Sequence, residues 1–140
     1  MTSYLSLTWS EIETVEEIKL LGLMVRNDLS WKANTDAMTK KAYSRLWILK
    51  RLKAQGAKLE DLTDIYIKQV RSILEFGAPV WNVGLTKDEV MNIERVQKSF
   101  LYIALGNGYL NYEATGLETL SSRRNTLCRK FAVKTASLQT

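Results

Sequence analysis

At 140 residues, 46% hydrophobic and with a net charge of +5, the chain is long enough to bury one core without disulfides or metals. It has no histidine and a single cysteine, Cys128. That excludes a structural zinc site and Ser-His or Cys-His nucleophile pairs, whose chemistry needs the imidazole.

In chain order, Ile18 to Val25 is apolar with β-branched residues and ends at the turn-forming cluster Arg26-Asn27-Asp28. Leu29-Ser30-Trp31 then resumes. The expectation is a short hairpin: a strand, a turn at 26–28, and a stub returning toward the next element. Residues 34–54 carry Met38, Ala42, Leu46, Leu49 and Leu52 at helical steps, and Gly56 stands as the C-terminal stop. A second helix is predicted over 59–76, with Leu62, Tyr66, Val70, Ile73 and Gly77 on one stripe. Pro79 should end or kink it.

The third helix has the clearest start: Thr86-Lys87-Asp88-Glu89 is a capping box. Its stripe of Val90, Ile93, Gln97, Phe100, Leu101 and Ala104 runs to Gly106. A fourth helix, about 118–136, is expected to bury Leu120, Leu127 and Phe131, with Cys128 a small core residue. The fold class predicted is all-α, a bundle of about four helices with a short N-terminal β-hairpin.

Charge is uneven along this order. Residues 1–31 hold five acids against two bases. Residues 34–54 hold six bases against Asp36, and residues 118–140 hold five bases against Glu118. Two basic segments fit a phosphate footprint, and solvated helix faces would give the same composition. On a helical wheel, Lys40, Tyr43, Trp47, Lys50 and Arg51 fall opposite the apolar stripe of the first long helix. Cations could neutralise phosphates there while the aromatics stack on bases or pack on sugars. Burial of Tyr43 and Trp47 against another helix is the competing expectation. Arg123-Arg124 and Arg129-Lys130 fall broadly on one side of the fourth helix, either as a second backbone grip or as a solvated face.

The carboxylates offer little for catalysis. Glu60-Asp61-Asp64 and Asp88-Glu89 sit at helix starts or polar flanks, and no adjacent Asp-Asp pair occurs for two-metal chemistry. Gly106-Asn107-Gly108 follows a helix and lacks the third glycine of a nucleotide-binding loop. No cofactor is expected. No apolar run of membrane-spanning length occurs, so no membrane partner is expected. The acidic N-terminal stretch does not read as a secretory signal, and a lone cysteine fits a nuclear or cytoplasmic location.

Several short motifs occur together: Lys19-Leu20-Leu21-Gly22-Leu23, Leu29-Ser30-Trp31, the basic Lys40-Lys41 to Arg45, Ile73 to Trp81 with its Phe-Gly-Ala-Pro-Val-Trp, Ile93 to Lys98, and Arg123-Arg124. In this order they resemble the region after the catalytic core of LINE-type, jockey-like non-LTR retrotransposon reverse transcriptases. The resemblance implies that residues 1–33 are a palm-end, primer-grip-like hairpin segment, with Leu21, Gly22 and Trp31 as grip residues. It implies that residues 34–140 form a helical thumb-like and post-thumb domain.

Lys40, Lys41, Tyr43, Arg45, Trp47, Lys50, Arg51, Arg123 and Arg124 would then contact nucleic acid, whether RNA, DNA or an RNA–DNA hybrid. The absent palm and fingers of a parent polymerase would be a further partner. The family's metal-binding aspartates have no counterpart here, so no polymerase activity carries over. The stretch from Tyr112 to Leu117 is also shorter than in the family. The expectation is therefore a non-catalytic, template–primer-gripping fragment. The alternatives are a helical protein-interaction module or a non-functional mobile-element relic.

Overall fold

The computed structural model describes residues 17–26, 28, 30–106 and 112–139. Strands β1 (Glu17–Leu20) and β2 (Leu23–Arg26) pair antiparallel, with Leu20 opposite Leu23 at the closed end. The two-residue turn is therefore Leu21-Gly22, not the Arg26–Asp28 cluster. Both turn residues have positive φ, 51° and 86°, as a tight primed hairpin turn demands. Glycine takes that conformation without strain, and Leu21 is carried into it. Asp28 instead folds back locally, accepting the Ser30 N–H at 3.0 Å.

Helix α1 (Lys32–Ala54) buries Met38, Ala42, Leu46 and Leu49, while Leu52 is half-buried at its end. It stops in a Schellman motif: the Gly56 N–H donates to the Lys53 carbonyl and the Ala57 N–H to the Leu52 carbonyl, each at 3.1 Å.

The second helical rod comprises α2 (Leu59–Tyr66), a π-helical segment (Ile67–Arg71) and α3 (Ser72–Glu75). Leu62, Tyr66, Val70 and Leu74 are all fully buried along it. Apolar residues four apart drift around an α-helix of 3.6 residues per turn, and the wider π turn brings them back onto one line. That extra residue per turn puts Leu74 in the core and leaves Ile73, the residue expected there, half-buried.

Pro79 does not end this rod. The break comes at Phe76 (ψ 121°) and Gly77 (φ 71°), and Pro79 lies in the first turn of α4 (Ala78–Trp81), where a proline N–H would have had no helical partner anyway. A 3₁₀ turn (Asn82–Gly84) leads to α5 (Lys87–Leu105). The capping box is present as expected: the Glu89 N–H donates to Thr86 Oγ1 at 3.2 Å and the Thr86 N–H to Glu89 Oε2 at 3.1 Å.

After a 3₁₀ turn (Tyr112–Ala114), α6 (Leu120–Gln139) closes the bundle. Its N-terminus is capped from α5 by Glu94, whose carboxylate accepts the Leu120 N–H at 2.9 Å and the Ser121 N–H at 3.3 Å. The core lies where α1, α2, α4 and α5 meet. There the Tyr66 and Phe100 rings stack with centroids 4.2 Å apart, and Tyr66 donates its hydroxyl hydrogen to Gln97 Oε1 at 2.8 Å. The architecture is the all-α bundle with an N-terminal hairpin.

Candidate nucleic-acid interface

Several of the motif residues turn inward and hold the bundle. Ile93, Val96 and Gln97 are buried, with Gln97 Nε2 donating to the Glu118 carbonyl at 2.8 Å. Trp81 is fully buried and its indole N–H meets the Phe76 carbonyl at 2.9 Å. The primer-grip-like residues lock onto the corner between α3 and α5. A Cβ on Gly22 would lie 2.9 Å from the Phe76 ring, one on Gly77 would lie 2.9 Å from the Leu23 side chain, and one on Gly84 would lie 2.8 Å from the Trp31 indole. Leu-Gly-Leu, Ser-Trp and Phe-Gly-Ala-Pro-Val-Trp are thus three parts of one packed joint. Leu21 stands out at the hairpin tip, 90% exposed, and Val80 also faces solvent.

The basic residues separate into three groups. Lys40, Tyr43, Trp47, Lys50 and Arg51 stay exposed on one face of α1, opposite its buried stripe. Trp47 is 58% exposed and Tyr43 43%, and the Arg51 guanidinium carbon sits 4.8 Å from the Trp47 ring centroid. This cation–π contact sets a planar cation against the exposed indole.

Lys41 and Arg45 lie around the helix from that face. Lys41 borders the cleft under the hairpin, and Arg45 Nη1 donates to Gln69 Oε1 at 2.8 Å. They do not join the Trp47 face, because one and two residues along a helix turn a side chain by about 100° and 200°.

Arg123 and Arg124 form neither a second grip nor a solvated face. Arg123 is paired with Glu75, its Nη2 3.1 Å from Oε2, and Glu75 also meets Arg71 at 3.1 Å. Arg124 is fully buried: its Nε donates to Asn82 Oδ1 at 2.9 Å and its guanidinium lies 6.0 Å from the Trp81 ring. Burial pulls its pKa below the ordinary arginine value, and nearby Glu94 opposes that. A solvent-borne phosphate cannot reach it there. Phe131, expected in the core, is 57% exposed, and every residue from 129 to 138 is exposed because α6 outruns the body it packs on. Leu127 and Cys128 are only partly buried.

Lys19 heads the Leu-Leu-Gly motif but is not among the residues expected to make contacts. It comes from β1, yet it lines the same cleft as Lys41 and Arg45, a convergence of separate elements that no linear pattern carries. Among the described residues, no group of three His, Cys, Asp or Glu side chains is placed to hold a metal ion, and no helix is long and apolar enough to cross a membrane. Comparison with protein-family models, with curated proteins and with solved structures returned no match.

Proposed function

We propose that the chain is a non-catalytic nucleic-acid-gripping module, a thumb-like piece of a non-LTR retrotransposon polymerase that holds a template–primer backbone through α1. One observation carries this: a solvent-facing helix side on which Trp47, stacked by Arg51 at 4.8 Å, stands with Tyr43 among Lys40 and Lys50. Exposed apolar surface rimmed by polar residues is a feature of interaction sites. Alternation of cations with aromatics suits a polyanion with stacked rings better than an apolar protein groove. The cations neutralise phosphates and release counterions, so affinity is largely indifferent to sequence and steeply dependent on salt. Trp47 and Tyr43 supply contacts that salt does not screen.

The test is a salt titration of binding with the double variant Lys40→Gln, Arg51→Gln. Affinity should fall and the slope of log affinity against log salt should become shallower by about one per lost contact. An unchanged slope would refute backbone capture by this face.

A second function, protein docking, has its own observation in the projecting end of α6, where Phe131, Val133 and Leu138 are all exposed. A partner bound there would be indifferent to Lys40 and Arg51 and lost with Phe131→Ser.

A further inference from the structure

A cavity of about 580 Å³ opens between the hairpin, α1 and α3. That is within the range of small-ligand sites. Its walls are apolar: Leu23 and Met24 from β2, Met38 from α1, and Ile73 and Phe76 from the second rod. Three cations stand around it, Lys19, Lys41 and Arg45, and among the described residues no carboxylate lines it.

Asn34 also lines the cavity. It is 5% exposed, and its Oδ1 accepts the Met24 N–H at 3.2 Å. A backbone N–H can only donate, so the oxygen is fixed toward Met24, and Nδ2 is left buried with no hydrogen-bond partner among the described residues. A buried amide N–H without an acceptor is costly, and an acceptor delivered by a ligand would relieve it.

These features define the ligand's chemistry. The donors and cations call for an anionic oxygen. The walls offer nothing to read a polar body: Asn34 Oδ1 is occupied, and the Ser72 hydroxyl is turned back to the Lys68 carbonyl at 2.6 Å. We infer that this cavity binds a small amphiphilic carboxylate, its anionic head among Lys19, Lys41 and the Asn34 amide and its apolar body between Met38, Ile73 and Phe76. This site is separate from the Trp47 face, so its failure and the failure of nucleic-acid binding are independent.

The probe pair is 1-anilinonaphthalene-8-sulfonate and its uncharged counterpart N-phenyl-1-naphthylamine, with decanoate and acetate as competitors, on the full chain. The anionic dye should bind one per chain, at least roughly tenfold tighter than the neutral one. Decanoate should displace it below its micelle concentration, and acetate should not. Lys41→Glu and, independently, Lys19→Glu should each weaken it by roughly tenfold or more. Ala37→Trp, at an exposed helix position bordering the cavity, should block it while far-UV circular dichroism stays unchanged. Equal affinity for the two dyes, or binding indifferent to all three substitutions, would overturn the assignment.

Discussion

Gly22 of the hairpin turn and Phe76 at the end of the second rod are in such close contact that a methyl group on Gly22 would stand 2.9 Å from the ring edge. The same glycine has φ 86°, so substitution meets both backbone strain and a steric block. Gly56, with φ 91° and none of the described residues within 4 Å of where a Cβ would stand, carries only the strain. Gly56→Ala should therefore cost about 1–2 kcal/mol, the left-handed penalty, and Gly22→Ala should cost more and selectively loosen the hairpin. Thermal unfolding compares the totals, and hydrogen exchange at Met24, whose N–H is held by Asn34, reports the hairpin alone. Equal losses with unchanged Met24 protection would mean that the hairpin does not depend on this contact.

Tyr66 makes the core sensitive to alkali. Burial pushes its phenol well above the ordinary tyrosine value, and the 2.8 Å bond to Gln97 Oε1 requires the proton. The unfolded chain releases that proton near pH 10 and the folded chain holds it. This contribution to stability is fully present below pH 10 and is lost as pH rises above it. Tyr112, also shifted upward by burial, adds in the same direction. Denaturant unfolding between pH 8 and pH 12 should show a falling midpoint. Tyr66→Phe should flatten that fall while lowering stability at pH 8 by about 1–3 kcal/mol, because fully buried Gln97 Oε1 loses its donor.

Arg124 is a buried cation with an incomplete set of partners: Nε is satisfied by Asn82, while Nη1 and Nη2 have none among the described residues. Replacing such a group with an apolar one of similar size is often neutral or better, whereas truncation opens a cavity. Arg124→Met should change stability by no more than about 1 kcal/mol, and Arg124→Ala should cost about 3 kcal/mol. Neither should alter nucleic-acid affinity. A large affinity loss in Arg124→Met would return this residue to the interface.

Local signals in the sequence translate directly into structure. Thr86 and Glu89 are three residues apart and need nothing beyond the helix they begin, and the α1 stripe from Met38 to Leu49 reports its own buried face. What the sequence hides is where neighbours stop. Phe131 shares a phase with core residues of α6, yet the bundle ends before reaching it. Periodicity shows that residues share a face and says nothing about what covers it. The hairpin turn and the π segment were illegible for a related reason. Leu21 takes a conformation that bulky residues avoid, and the π turn is fixed by the demand that Tyr66, Val70 and Leu74 all reach one core. The α1 face is legible as a grouping, because a wheel sets Trp47 and Tyr43 opposite the stripe, while their exposure against burial on another helix is decided only by the fold. Arg124 is not legible, because a buried arginine depends on Asn82 and Trp81 from distant elements.

Trp47 separates binding from folding. At 58% exposure its removal leaves no core cavity, so Trp47→Ala should move the unfolding free energy by no more than about 0.5 kcal/mol. The same change should weaken nucleic-acid binding by about 1–3 kcal/mol, the worth of one stacked aromatic. A chemical-denaturation curve and a binding isotherm on one preparation check both. A strongly destabilised variant would show instead that the indole supports the fold.

The most direct measurement is fluorescence anisotropy of the folded chain with a labelled RNA–DNA hybrid bearing a recessed 3′ end, with salt stepped from about 50 to 200 mM. A gripping module should bind it, weaken steeply with salt, and release it less readily to single strands or duplex DNA than to unlabelled hybrid. No binding at the lowest salt by protein with an intact helical spectrum would contradict the proposal that α1 holds nucleic acid.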